Sequence, residues 1–83
     1  MVTYFVVQAY TKGKNGYPVP DVAVEVPSKR HALILCDRLV GDRLAIVAFF
    51  RTGDPATGEW QDAEIIFKGG EVTDELLSEA SAA

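Results

Sequence analysis

Two strand-forming segments of this chain, 2–10 and 44–51, are apolar at nearly every position, and this feature constrains the fold more than any other. Side chains of a β-strand alternate between the two faces of a sheet, so such segments present apolar groups to both faces. An antiparallel sheet with one face in water normally alternates polar and apolar residues. We therefore expect both faces of this sheet to be covered.

The rest of the chain offers one substantial helix as a cover. Residues 29–40 follow Ser28, a favourable N-cap, and precede Gly41, a residue type common at helix ends. The apolar spacing predicts a buried stripe of Ala32, Leu35, Cys36 and Leu39, widened by Leu33 and Val40. A helix of about three turns covers only one face of a sheet.

Turn-forming residues separate the other strands. An Asn-Gly pair at 15–16 accepts the positive φ of a hairpin reversal, and residues 54–58 combine a proline with a glycine in a second turn. The prolines within 18–20 cannot donate to a strand ladder, so the second strand, 21–26, begins after them or lies at an edge. The fourth strand is predicted at 59–68. Alternation there places Ala63, Ile65 and Phe67 on one face, and Trp60, Asp62, Glu64 and Ile66 on the other.

These elements predict an α+β fold. We expect a four-stranded, mainly antiparallel sheet in the order β-β-α-β-β, with the helix on one face and a short C-terminal helix capped by Thr73 or Asp74. The 83 residues suffice for one core, so 1–83 is predicted to be a single domain with residues 78–83 as a frayed tail.

A domain of this size has limited stability unless a cross-link, a metal or a partner is added. The chain has one cysteine, Cys36, and one histidine, His31, which excludes an intrachain disulfide and a four-ligand Cys/His zinc site. We therefore predict a homodimer, packed through the apolar face that the helix does not cover. The predicted interface residues are Tyr4, Val6, Phe50, Trp60 and Ile66. The alternative is that the C-terminal helix folds back and covers this face within one chain.

The charge and hydropathy of the chain limit its other partners. The net charge of −4 argues against general nucleic-acid binding. Residues 1–51 hold seven basic and four acidic side chains, whereas residues 52–83 hold one basic and eight acidic, a polarity that suits pairing of identical subunits or a solvated acidic surface. The apolar runs are too short to span a bilayer, no signal peptide is recognised, and a single buried cysteine suits a reducing compartment. We predict a cytoplasmic protein that does not associate with membranes.

Two segments are candidates for binding an anionic ligand. Lys29, Arg30 and His31 place cationic side chains at a helix start, where free backbone N–H groups attract phosphate or carboxylate. Arg51, Thr52 and Asp54 belong to a loop rich in glycine and hydroxyl groups. The alternatives are a solvated first helical turn and an ordinary hairpin turn, and no phosphate-loop spacing is present.

No catalytic, cofactor or metal site is predicted. His31 and Cys36 are five residues apart, which separates them by about 140° around the helix, so they cannot act as a base and nucleophile pair. Asp62 and Glu64 share a strand face beside Trp60, as carboxylates at a sugar site would, but a solvent-facing strand requires the same residues.

Two segments, Tyr4–Ala9 and Ala48–Glu59, resemble a small family of alphaproteobacterial proteins of unknown function. The resemblance extends over most of the chain. It implies a bacterial cytoplasmic protein, and it implies no activity and no functional residues.

Three classes of function remain open from the sequence. The first is a non-enzymatic, homodimeric module that acts through an unidentified protein partner, which the apolar strands favour. The second is a regulator that binds a small anionic ligand or nucleotide. The third, an enzyme with a site shared across a dimer interface, has the least support, with His31, Arg51 and Asp54 as its candidate residues.

Overall fold

The computed structural model of the protein describes residues 1–77, which form an α+β domain with an antiparallel sheet of six strands. The elements are β1 (Val2–Lys12), β2 (Pro18–Pro20), β3 (Val24–Val26), α1 (Lys29–Leu39), β4 (Ala45–Asp54), β5 (Glu59–Trp60) and β6 (Glu64–Gly70). A helical turn at 74–77 follows β6. The predicted fold class and the mainly antiparallel sheet are confirmed.

The two segments that are apolar on both faces form the centre of the sheet. β1 and β4 pair from Val2 opposite Gly53 to Tyr10 opposite Ala45, without interruption. β2 and β3 pair with the free edge of β1, while β5 and β6 pair with the free edge of β4. Because β1 and β4 have paired neighbours on both sides over most of their length, most of their backbone groups are hydrogen-bonded, and their side chains face the layers above and below.

The predicted count of four strands differs from the structure, because each outer strand is divided in two. The element order is therefore β-β-β-α-β-β-β. Between β2 and β3, the buried side chain of Gln8 donates from Nε2 to the carbonyl oxygens of Asp21 (2.6 Å) and Ala9 (2.9 Å). These two hydrogen bonds satisfy backbone carbonyl groups in the gap between β2 and β3. Pro18 and Pro20 lie in β2 at the edge of the sheet, where a missing N–H donor is tolerated.

A β-bulge in β6 overturns the predicted alternation of the fourth strand. Ala48 pairs with Phe67, but Phe49 pairs with Ile65, so Ile66 is an extra residue. Ile66 and Phe67 both pack against the core beneath the helix, whereas Ala63 packs on the opposite face. The prediction that Ala63 and Phe67 share a face is therefore wrong, because the bulge reverses the alternation between them.

The helix packs on one face of the sheet, which we call the helix face. Ala32 and Cys36 are fully buried against Val7, Ala9, Ile46 and Ala48, with Leu35 and Leu39 partly buried beside them. The predicted stripe is confirmed. Leu33 and Val40 are 39% and 46% exposed, so they do not widen it. Both lie about 80–100° around the helix from Ala32, to one side of the stripe.

The opposite face of the sheet, which we call the second face, is half covered by residues 72–77. Val72 and Leu76 pack against Tyr10 and Ala45, and Leu77 packs near Val47 and Phe49. Thr73 Oγ1 accepts a hydrogen bond from Leu76 N at 3.3 Å, which confirms Thr73 as the cap of this turn. The predicted frayed tail, 78–83, lies outside the described residues.

Gly58 and Gly70 allow a matched test of this fold. Both have φ of 75°, but a Cβ on Gly70 would overlap the Leu44 carbonyl, whereas a Cβ on Gly58 would meet nothing. We expect Gly58→Ala to lower the free energy of unfolding by about 1 kcal/mol through backbone strain alone. We expect Gly70→Ala to lower it by about 2–4 kcal/mol, because overlap with the backbone adds to that strain. Urea denaturation measures both, and equal losses would contradict the packing of β6 on β4.

Candidate interaction site

The part of the second face that residues 72–77 do not cover contains a groove of about 490 Å³, which we call the open groove. Its lining residues come from β1, β3, β4 and β5 and from the segment before β3. They are Tyr4, Val6, Ala23, Glu25, Phe49, Arg51 and Trp60. Most of this lining is apolar or aromatic, which is typical of binding sites in proteins.

Strand register brings these side chains to one face. Val6 of β1 lies opposite Glu25 of β3 and opposite Phe49 of β4, while Tyr4 lies opposite Arg51. Directly paired residues point to the same side of a sheet. Phe49 is only 4% exposed and forms the floor of the open groove with Val6.

An aromatic pair forms one wall of the open groove. Trp60 lies opposite Gly53, and a Cβ on Gly53 would overlap the indole ring, so the ring rests directly on the glycine. The ring centroids of Tyr4 and Trp60 are 5.4 Å apart, and their planes are tilted by 33°. Tyr4 and Trp60 are 36% and 39% exposed, so this wall presents accessible apolar surface.

The open groove carries one charge of each sign, on different strands. Glu25 is exposed on β3, and Arg51 is half-buried on β4, with β1 between them. Within residues 1–77, the ion pair that the structure shows joins Arg43 Nε to Asp21 Oδ2 at 2.9 Å, outside the open groove. Glu25 and Arg51 therefore line the same groove from opposite sides of β1.

The structure does not bring the six predicted ligand residues into one site. At the helix start, Ser28 Oγ accepts from His31 N at 3.2 Å and lies 2.7 Å from His31 Nδ1, so Ser28 caps this end. Lys29 and Arg30 lie on the outer surface of α1 beside Leu33.

The other three predicted ligand residues are divided between the two faces of β4 and the following turn. Arg51 lines the open groove on the second face. The Thr52 hydroxyl is 2.9 Å from that of Thr3, and Asp54 Oδ1 accepts from Ala56 N at 2.9 Å within the turn. Only Arg51 of this group is therefore placed in the open groove.

The predicted interface residues are also divided between the faces. Tyr4, Val6 and Trp60 line the open groove. Phe50 instead packs against Phe5, with ring centroids 5.9 Å apart, and Ile66 packs against the core beneath the helix.

Sequence reasoning missed Phe49, Ala23 and Glu25 as residues of the site. Phe49 follows the alternation of its strand, which places it on the face opposite Ala48. Glu25 lies between two valines of the predicted second strand, so the same alternation indicated its face. The sequence did not indicate which strand lies next to β3, because the pairing of Glu25 with Val6 of β1 is set by the tertiary fold.

The remaining reactive groups do not form a catalytic or metal site in the described part of the chain. Cys36 is fully buried, and burial raises the pKa of its thiol, which favours the protonated, unreactive form. No group of three or more His, Cys, Asp or Glu side chains among residues 1–77 is arranged to hold a metal ion. Within the same residues, no helix has the length and apolar character to cross a membrane.

Comparisons of the chain with protein-family models, with curated proteins and with solved structures gave no match in any of the three. The functional argument therefore depends on the open groove and its chemistry.

Replacing Gly53 tests the position of the aromatic wall. We expect Gly53→Ala to displace the Trp60 ring, lower the free energy of unfolding by about 1–3 kcal/mol and shift the fluorescence emission to longer wavelength. Trp60 is the single tryptophan, so the emission reports on this wall alone.

Gly41→Ala is the matched control, since a Cβ at Gly41 meets nothing within 4 Å. This variant should leave the emission unchanged. An unaltered emission in Gly53→Ala would show that the ring does not rest on the glycine.

Proposed function

We propose that this protein is a non-enzymatic interaction module that forms a homodimer through the open groove. The observation that carries the proposal is the incomplete cover of the second face, where residues 72–77 leave the Tyr4 and Trp60 wall accessible. Removing apolar surface from water is favourable by about 25 cal/mol per Å². An accessible aromatic wall above an apolar floor is typical of protein interfaces.

The edges of the sheet are less suited to self-association than the second face. Pro18 and Pro20 lie in β2 on one edge, and neither can donate a backbone hydrogen bond to another chain. On the other edge, β6 carries the bulge at Ile66 and the exposed cation Lys68. Prolines, bulges and lysines are common devices that prevent edge-to-edge pairing.

The dimensions of the molecule set the expected strength of the dimer. Its principal extents are 41 × 23 × 18 Å, so half of its broad face amounts to roughly 500 Å². Standard protein interfaces bury about 800 Å² on each partner. We therefore expect a weak dimer, with a dissociation constant in the micromolar range or above.

The residues of the open groove support binding better than catalysis. Its described lining contains Glu25 and Arg51 as charged groups and no nucleophile paired with a general base. The proposed setting is the bacterial cytoplasm, which the family resemblance implies. In that setting the dimer would act through a further protein partner.

The alternative, a regulator that binds a small anionic ligand, has weaker support. Its proposed residues are divided between the helix start and β4, and Arg51 lies on the face opposite α1. Ser28 already caps the first turn of the helix. A groove of about 490 Å³ has the size of a small-molecule site, but its lining contains a single cation.

Two substitutions at equally exposed positions test the proposed interface. Trp60 and Leu33 are each 39% exposed, but Trp60 lines the open groove and Leu33 lies on the outer surface of α1. We expect Trp60→Ser to weaken dimerisation at least tenfold, because it removes the aromatic wall. Leu33→Ser should leave the dissociation constant unchanged.

Sedimentation equilibrium up to about 1 mM protein gives both dissociation constants. Circular dichroism verifies that each variant is folded. A greater loss from Leu33→Ser than from Trp60→Ser would assign the interface to the helix instead.

A further inference from the structure

We infer that the outer surface of α1 binds an acidic amphipathic helix of another protein. This inference rests on the proposed function, in which the module acts through a further protein partner, and deepens it by naming the surface and the chemistry of that partner. The outer surface of α1 lies on the side of the molecule opposite the open groove. It therefore stays accessible when two copies pair through the groove.

The first observation is the arrangement of the exposed side chains of α1, which line a shallow depression of about 650 Å³. Residues four apart in a helix lie one above the other, so these side chains form two parallel rows. The rows are Lys29, Leu33 and Asp37 in one, and Arg30, Ile34 and Arg38 in the other. Rows of this spacing are the ridges between which a second helix packs. They extend for about 14 Å along the axis, which suits a partner helix of a few turns.

The second observation is the aliphatic pair in the middle of the two rows. Leu33 and Ile34 are 39% and 44% exposed, and neither belongs to a core cluster of the protein. Isoleucine has a lower helix propensity than the long polar residues that usually occupy an exposed helical position. Charged side chains stand on both sides of the pair in each row. An apolar centre inside a polar rim is the common arrangement of a protein interface.

The third observation is the sign of the charged rim, which indicates the chemistry of the partner. The rim has three cations, Lys29, Arg30 and Arg38, against the single anion Asp37, in a chain of net charge −4. Among the described residues, none of these three cations is in an ion pair. The first turn of α1 contains no acidic residue, although acidic side chains are favoured there and cations are disfavoured. Helix stability therefore does not account for Lys29 and Arg30, whereas carboxylates on a partner would complement them.

An anionic bilayer matches this surface less well than an acidic helix does. Helices that lie in a membrane interface combine their cations with a broad apolar face. Here the apolar part consists of Leu33 and Ile34 alone, and Asp37 lies beside them. Anionic lipids would repel Asp37 and the net charge of −4. We therefore assign the surface to a protein partner.

The test uses two synthetic, alanine-rich helical peptides of about 15 residues. Both have leucines at helical spacing on one face, flanked by glutamates in one peptide and by lysines in the other. We expect the glutamate peptide to bind with a dissociation constant below about 1 mM, to shift the ¹H–¹⁵N NMR signals of Arg30, Leu33 and Ile34, and to bind more weakly as sodium chloride increases. The lysine peptide should shift none of them. No shift with the glutamate peptide, equal shifts with both, or shifts confined to the open groove would overturn the inference.

Charge reversal in the rim has a matched control on the other face. Arg30→Glu should weaken binding of the glutamate peptide at least fivefold, because it places like charges against each other. Lys68→Glu makes the same change at an exposed position that is aligned with Val47 of the second face, and it should leave binding unaltered. Glutamate is favoured in the first turn of a helix, so Arg30→Glu should remain folded, which circular dichroism verifies. Equal binding by both variants would contradict the proposed contact.

The outcomes distinguish this inference from the proposed dimer. Trp60→Ser should bind the glutamate peptide as tightly as the wild type, because Trp60 lies on the opposite face. A protein that binds the peptide but stays monomeric at about 1 mM overturns the dimer and supports the inference. A dimer that does not bind the peptide retains the dimer and overturns the inference. Binding to vesicles of phosphatidylserine and phosphatidylcholine, without binding to the peptide, would assign the surface to a membrane and also overturn it.

Discussion

The uninterrupted pairing of β1 with β4 is the interaction on which the rest of the structure depends. It joins the two most apolar segments of the chain at the centre of the sheet, and it fixes which side chain faces which layer. Because both strands are apolar on both faces, the pair needs a cover on each side. α1 supplies the first cover through Ala32 and Cys36, and residues 72–77 supply half of the second.

The open groove exists because α1 covers the helix face more completely than residues 72–77 cover the second face. Where residues 72–77 end, the second face continues as an apolar floor at Val6 and Phe49. The ring of Trp60 rests on Gly53 and raises one wall above that floor, while β3 forms the other side. The apolar lining and the aromatic wall of the open groove thus both follow from the strand register.

The sequence predicted the fold class, the helix and the two central strands, because each has a strong pattern over many residues. It did not predict the division of the outer strands. The hydrogen bond from the Gln8 amide to the Asp21 carbonyl and the extra residue Ile66 in β6 have no signature in the local sequence. The lining of the open groove was predicted in part. Alternation identified Tyr4 and Val6, whereas Phe50 and Ile66 lie on the helix face, and Glu25 required knowledge of which strand lies beside β1.

The central claim is that the part of the second face left open by residues 72–77 is the surface at which two copies meet. A series of ¹H–¹⁵N NMR spectra at increasing protein concentration tests it most directly, because each backbone amide and the indole N–H of Trp60 report separately. The account predicts concentration-dependent shifts at Tyr4, Val6, Glu25, Phe49 and Trp60, with constant signals along the outer surface of α1. Shifts confined to the helix, or none at any concentration, would contradict it.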